Sequence, residues 1–213
     1  MCRGQRNRRM SCAHDRHRHE LPWPGPRWCH DVNMDERSWY ESLRAEYRPE
    51  CVRVLLVAES PPSPTAGTRR FFYNETLTGH DNLFRSVALA AYGLTAADLR
   101  AVAKVWVLRR LQADGFFLID AVETPVNHMS SGDKRRAIRS GIPRLLHRCV
   151  ELEPTVGVFV ISTPVHEAVA GAMSSAGITV LDPIPAPFPL GNTRAQFVKV
   201  WQQFVPLNPS ASI

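Results

Sequence analysis

The sequence contains no uninterrupted apolar stretch that approaches the roughly 20 residues needed to cross a bilayer. Its first residues, MCRGQRNRRMSC, carry charge but are followed by no apolar segment, which argues against a secretory signal. We therefore expect a cytoplasmic protein without a membrane partner. An arginine-rich organelle transit peptide is the alternative.

Paired cysteines and the common nucleotide-binding glycine motifs are also lacking. The five cysteines form no CxxC pair, which is typical of free thiols in a reducing compartment. No GxGxxG, GxxxxGK[ST] or GxSxG pattern occurs, which argues against the usual dinucleotide, P-loop and serine-hydrolase sites. The N-terminal segment holds potential zinc ligands, but at spacings that match no structural zinc site: Cys12, His14, His17, His19, Cys29 and His30. We expect no metal and no organic cofactor.

Positive charge is in excess, with 26 Lys and Arg residues against 20 Asp and Glu residues and a net charge of +6. Such a balance favours polyanionic partners such as nucleic acid. Much of the excess lies in residues 1–33, which we expect to be a basic, flexible tail, with a dedicated binding arm as the alternative. Residues 34–213 are expected to form a single domain, and Met1 and Met34 both remain candidate starts.

Short apolar runs alternate with amphipathic segments along the rest of the chain. Strands are predicted at 52–58, 115–121, 156–162 and 178–182. Helices are predicted at 35–47, 82–92, 95–112, 133–151, from about 164, and at 193–204, with a kink or break in the fourth at Gly141 and Pro143. This alternation predicts an α/β fold, a three-layer α/β/α sandwich with a central four-stranded parallel sheet.

Ligands of such folds bind beyond the carboxyl ends of the strands. There the first strand runs into Glu59 and two prolines, and the second strand ends at Asp120. Because parallel strands end at the same edge of a sheet, we expect both carboxylates to face one crevice.

The loops at this edge carry a family resemblance. The first strand ends in Ala58-Glu59-Ser60-Pro61-Pro62, and the second in the run Leu118-Ile119-Asp120-Ala121-Val122-Glu123-Thr124. The last loop reads Ile184-Pro185-Ala186-Pro187-Phe188-Pro189-Leu190. Taken in order over residues 52–204, these segments resemble the Gly-Glu-Ala-Pro-Gly, Leu-Leu-Asn-Ala-Val-Leu-Thr and His-Pro-Ser-Pro-Leu motifs of the uracil-DNA glycosylase superfamily.

The resemblance implies a monofunctional DNA glycosylase of base excision repair, which hydrolyses the N-glycosidic bond of a flipped damaged or deaminated base. Its partner would be duplex or single-stranded DNA, and we expect a monomer. The first alternative is a catalytically inactive protein of the same fold that binds nucleic acid or a nucleobase. The second is an unrelated small-molecule hydrolase or nucleotide-binding enzyme.

The resemblance also implies roles for single residues. Glu59 and Asp120 would be catalytic, with Glu59 holding water or stabilising the cationic sugar. The alternative for each side chain is that it only caps a turn or helix. The expected base-binding residues, among which Phe72 stacks on the flipped base, are Ser60, Pro61, Phe72, Tyr73, Asn127 and His128. The expected DNA-binding residues are Ser131, Lys134, Arg135, Arg139, Pro187, Phe188 and Asn192. The alternatives are a basic helix face that is merely solvated and a core position for Phe188.

Three positions depart from the family pattern. Ser60 stands where some members carry a water-activating Asp, and the last loop has no histidine. Asp120 replaces the Asn that reads the base edge. Because an ionised Asp only accepts hydrogen bonds, it would suit a base edge that presents donors rather than the imide of uracil. Alternatively, burial keeps Asp120 protonated, or Asp120 serves as a general base.

Overall fold

A computed structural model describes residues 34–63 and 70–206, with side chains from Trp39 onward. The predicted basic tail at 1–33 and its cysteine and histidine side chains lie outside these described residues. None of the described helices combines the length and the apolar character of a membrane span. Cys51 and Cys149, the cysteines within the described ranges, are both free thiols.

The centre of the fold is a parallel sheet of three strands, β1 (Val54–Ala58), β2 (Phe116–Asp120) and β3 (Gly157–Val160). Their spatial order is β2-β1-β3, and the register places Ala58 opposite Asp120. Every residue of the three strands is buried, as expected for apolar runs that are covered on both faces. The predicted mixed α/β class with a parallel sheet is thus confirmed.

Helices occupy most of the connections between the strands. They are α1 (Met34–Glu46), α2 (Asn82–Tyr92), α3 (Asp98–Ala101), α4 (Lys104–Ala113), α5 (Ser131–Leu152), α6 (Thr163–Ser175) and α7 (Arg194–Phe204), with a 3₁₀ turn at Gly191–Thr193. The predicted helix at 95–112 is divided into α3 and α4 because Val102 and Ala103 adopt extended backbone conformations. The predicted break in α5 is absent, and this helix continues through Pro143.

The prediction of a fourth strand at 178–182 is wrong for the described residues. This segment meets β3 only through a single bridge between Val158 and Val180. Two residues later, Asp182 Oδ1 accepts a hydrogen bond from the backbone N–H of Val160 at 3.0 Å. Because a side-chain oxygen replaces the backbone carbonyl that a strand would supply, the hydrogen-bond ladder stops there.

Gly157 begins β3 where the segment at 178–182 comes close. Its φ is +148°, and a Cβ there would lie 2.8 Å from the backbone oxygen of Thr179 and 2.8 Å from Leu181 Cδ2. The same Thr179 oxygen accepts a hydrogen bond from Val158. Only glycine therefore allows this close approach without moving backbone atoms.

We predict that Gly157→Ala lowers the free energy of unfolding by about 2 kcal/mol or more, since the added methyl group displaces Thr179 from β3. Gly171→Ala is the matched control, because Gly171 lies exposed in α6 with open space around it. That substitution should raise the free energy of unfolding by about 0.5–1 kcal/mol. Urea denaturation of the two variants checks both values, and equal stabilities would contradict this account of Gly157.

Candidate functional site

A cleft of about 600 Å³ opens at the carboxyl ends of the three strands. Each strand contributes a polar side chain to its lining: Glu59 follows β1, Asp120 ends β2, and Ser162 lies two residues beyond β3. The structure therefore brings Glu59 and Asp120 into one cavity, as their positions at neighbouring strand ends suggested. The cavity is large enough to hold a nucleobase.

Asp120 is buried and forms an ion pair with Arg44 of α1. Arg44 Nη2 lies 2.7 Å from Asp120 Oδ2, and both side chains are about 95% buried. Arg44 also contacts Glu41 Oε1 at 2.6 Å, while Arg148 donates to the backbone oxygen of Asp120 at 3.1 Å. Burial raises the pKa of the Asp120 carboxyl, and the charge of Arg44 opposes that shift.

Glu59 lines the cleft and is half-buried. Its Oε1 is 3.3 Å from Nζ of Lys134, which projects from the first turns of α5 and also lines the cleft. The backbone that follows Glu59 is held by a hydrogen bond, in which the Tyr40 hydroxyl donates to the Pro62 backbone oxygen. The two prolines and this hydrogen bond restrict where the Glu59 carboxylate can lie.

The aromatic residues predicted to contact the base differ in their positions. Phe72 lines the cleft, as does Phe71, but Tyr73 does not. The Tyr73 hydroxyl accepts from the backbone N–H of Leu118 at 2.6 Å and donates to the Leu118 oxygen at 3.2 Å. Because β2 is the outer strand of the sheet, Tyr73 satisfies its free edge. The structure therefore places Tyr73, expected to bind the base, at the edge of the sheet and not in the cleft lining.

The remaining predicted base contacts come from two neighbouring loops. Ser60 and Pro61 line the cleft, and so does Asn127, whose Oδ1 accepts from the backbone and hydroxyl of Ser63. Ser60 Oγ accepts from the backbone N–H of Val126 at 3.4 Å. His128 is exposed and does not line the cleft, so the structure does not place it beside a bound base.

The predicted DNA contacts lie at the start of α5 and in the last loop. Ser131, Arg135 and Arg139 are exposed on α5, outside the cleft. Lys134 is turned toward Glu59 instead. In the last loop, Phe188 is 36% exposed and lines the cleft, so it is not the core residue that the alternative suggested. Pro187 is half-buried and Asn192 is exposed, and neither lines the cleft.

A second buried ion pair supports other residues of the cleft lining. Lys104 Nζ lies 3.3 Å from Asp81 Oδ2 and 3.3 Å from the backbone oxygen of Phe71, and it sits over the Phe84 ring at 4.7 Å. Asp81, Phe71 and Phe84 all line the cleft. Burial lowers the pKa of Lys104, and Asp81 opposes that change. Arg70 also lines the cleft and has no ion-pair partner among the described residues.

Sequence reasoning missed Arg44 and Lys104, although the sequence held a signal for each. Arg44 lies four residues after Tyr40 and three before Tyr47, so it occupies the buried stripe of α1 and its C-terminal turn. Lys104 shares a stripe with Leu108 in the same way. A cation on an apolar stripe indicates a buried partner of opposite charge.

Ser162 was also missed, and no sequence signal identified it. Its φ of +93° is unusual for a residue with a side chain and costs on the order of 1–3 kcal/mol. The residue is 6% exposed and stands at the N-cap of α6, yet its hydroxyl makes no capping hydrogen bond. The hydroxyl is thus available to a ligand of the cleft.

His166 and Asp182 have structural roles beside the site. His166 Nε2 lies 2.7 Å from the Asp182 backbone oxygen, and Asp182 Oδ1 accepts from Val160. Together they fix the start of the loop that carries Phe188. Within the described residues, no group of three or more His, Cys, Asp or Glu side chains is arranged to hold a metal ion.

Comparisons with known proteins provide no family assignment. No protein-family model matches the chain. No curated protein matches it either. The function must therefore be inferred from the geometry of the cleft.

The buried Asp182 predicts a defined pH dependence of stability. Burial raises its pKa to about 6, with the Val160 hydrogen bond and the neighbouring His166 opposing. The folded protein therefore retains a proton that the unfolded chain releases, so the free energy of unfolding falls by about 2 kcal/mol from pH 4 to pH 6.

Asp182→Asn can still accept the hydrogen bond from Val160 but cannot ionise, so this decrease should be absent. Urea denaturation of both proteins between pH 4 and pH 7 measures the difference. Free energies of unfolding that run parallel across this range would show that Asp182 is not responsible.

Proposed function

We propose that the chain is a monofunctional DNA glycosylase built as a three-layer α/β/α sandwich. It hydrolyses the N-glycosidic bond of a base that has been flipped out of DNA into the cleft. The observation that carries this proposal is the convergence of Glu59 and Asp120 on one cavity of nucleobase size at the carboxyl ends of parallel strands. The resemblance of the loop motifs to the uracil-DNA glycosylase superfamily supports the same function.

The first step is base capture. Phe72 has its ring on the cleft, packed edge-on against Phe84 and Tyr73, so it offers a rigid surface for stacking. Asp120 lies at the end of β2 and would contact the base edge. Phe188, exposed at the cleft mouth, would occupy the gap that the flipped base leaves in the duplex.

The second step is bond cleavage. Glu59 accepts a proton from the attacking water, a bond forms between the water oxygen and C1′ of the sugar, and the bond from C1′ to the base nitrogen breaks. The electron pair leaves with the base, which then takes a proton from solvent. Lys134 Nζ, 3.3 Å from Glu59 Oε1, holds the Glu59 carboxylate in place.

The negative charge that develops on the departing base also needs stabilisation. Because the last loop has no histidine, the unpartnered Ser162 hydroxyl and the first turn of α6 supply the donors at this side of the cleft. A strained residue at a strand end that lines a cleft is typical of a functional position.

A second candidate function is nucleobase or nucleic-acid binding without cleavage. It is favoured by the ion pairs, because all three carboxylates in the cleft lining already face a cation. Glu59 faces Lys134, Asp120 faces Arg44 and Asp81 faces Lys104. In that case the cleft would recognise a base by stacking and hydrogen bonds alone. DNA binding without strand scission would identify this function.

We predict that the purified protein releases a base from at least one oligonucleotide of a panel carrying uracil, hypoxanthine, xanthine, 8-oxoguanine or a mismatch. Alkali-induced strand scission measures the release. Glu59→Gln should reduce the rate about 10²–10³-fold, because the amide cannot accept the proton of water.

Glu46→Gln is the matched control, since Glu46 forms an exposed ion pair with Arg109 outside the cleft. It should leave the rate unchanged. No scission on any substrate of the panel, or an equal rate for Glu59→Gln, would refute the glycosylase.

DNA binding should depend on the exposed arginines of α5. We expect Arg135→Gln/Arg139→Gln to weaken binding of a duplex and to reduce the slope of log K against log salt by up to about 2, one phosphate contact per arginine. Arg100→Gln is the control, because Arg100 is exposed on α3 and does not line the cleft. Fluorescence anisotropy at several salt concentrations measures the slope, and identical slopes for the double variant and the control would exclude these contacts.

A further inference from the structure

The ion pair between Arg44 and Asp120 leaves one carboxylate oxygen of Asp120 unused. Arg44 Nη2 contacts Oδ2, whereas Oδ1 accepts no hydrogen bond from any described residue. Asp120 is only 2% exposed, and it lines the cleft. Oδ1 is therefore the carboxylate oxygen of Asp120 that is left for a ligand in the cleft.

The charge of Arg44 determines whether Asp120 is ionised when a ligand binds. A guanidinium is never deprotonated in a protein, and it needs a counter-charge when it is buried. The other acidic partner of Arg44, Glu41, is 50% exposed and is therefore a weaker counter-charge than the buried Asp120. Although burial raises the pKa of Asp120, protonation would leave the buried guanidinium without its main counter-charge. The pair is therefore held as guanidinium and carboxylate, and Oδ1 can only accept hydrogen bonds.

We infer that the cleft recognises a base of the guanine type, whose edge presents a ring N–H beside an exocyclic amine to the Asp120 carboxylate. This inference rests on the proposed function and deepens it by naming the substrate class. Arg44 acts as a positioning residue, since it fixes the charge and orientation of Asp120 without itself touching the base.

The hydrogen-bonding patterns of the bases explain this choice. The N1–H and N2–H₂ groups of guanine lie side by side, so both can donate to Asp120 Oδ1, whose two lone pairs accept two hydrogen bonds. The imide edge of uracil has one N–H between two carbonyl oxygens, and those oxygens would repel an ionised Asp120. Guanine lesions that keep this edge intact, such as 8-oxoguanine, are therefore the expected substrates, and the cleft volume of about 600 Å³ admits a purine.

The test measures binding of free base analogues and so needs no DNA and no bond cleavage. Isothermal titration of the full chain compares 9-methylguanine with 1-methyluracil, with 1,9-dimethylguanine, which lacks the ring N–H, and with 9-methylhypoxanthine, which lacks the amine. We expect 9-methylguanine to bind at least tenfold more tightly than each of the other three. A tighter 1-methyluracil complex, or no detectable binding of 9-methylguanine, would overturn the inference.

Asp120→Asn should remove at least a tenfold preference for 9-methylguanine over 1-methyluracil, because the amide offers a donor as well as an acceptor. Glu41→Gln is the matched control, since it changes the other partner of Arg44 outside the cleft and should leave the preference intact. If Asp120→Asn does not fold, Arg44→Gln/Asp120→Asn carries the test with a neutral amide pair. An unchanged preference in the folded Asp120 variant would overturn the inference.

The scission assay separates this inference from the proposed function. Release of uracil but not of 8-oxoguanine by the wild-type protein would support the glycosylase and overturn the guanine-type specificity. Selective binding of 9-methylguanine with no scission of any oligonucleotide would support the specificity and refute the glycosylase.

Discussion

The ion pair between Arg44 and Asp120 is the interaction on which the cleft depends, because it joins α1 to the end of β2 at the cleft floor. Removing either partner would leave an uncompensated buried charge, which typically costs 3–5 kcal/mol. A hydrophobic pair of equal volume would cost less to bury, so stability alone does not explain the charges. The position of Asp120 in the cleft lining agrees with the second role that we propose for the pair, which is to present a fixed acceptor to a ligand.

Lys104 and Asp81 form a second buried ion pair at the cleft. There the ammonium group also binds the Phe71 oxygen, so that one buried cation holds both ends of the segment that leads into α2. Phe71 and Phe72 keep their positions through this segment and through ring contacts with Trp39, Tyr40 and Tyr73. These contacts hold the aromatic surface in place before any ligand binds, which lowers the ordering cost of the stacking that we propose.

Sequence patterns predicted the three parallel strands, because apolar runs are local features that favour buried strands. They also predicted that Glu59 and Asp120 line one cleft, because the ends of neighbouring parallel strands lie at the same edge of a sheet. They failed where a side chain replaced backbone hydrogen bonding. At 178–182 the β-branched residues indicated a strand, but Asp182 occupies the acceptor position and ends the ladder. Tyr73 resembled a stacking residue, but its hydroxyl is needed at the free edge of β2. Hydrogen bonds in which a side chain takes the place of a backbone group depend on tertiary contacts that local sequence patterns do not encode.

The shortened edge of the sheet has a consequence for the cleft. A full fourth strand would hold its residues in register with β3, whereas the chain after Asp182 leaves that register and returns only at Ala186, which pairs with Ile161. The chain then continues to Phe188, which lines the cleft, as does the strained Ser162. The hydrogen bond from Val160 to Asp182 therefore ends strand pairing at this edge of the sheet. Because pairing ends there, the last loop is free to contribute Phe188 to the cleft lining.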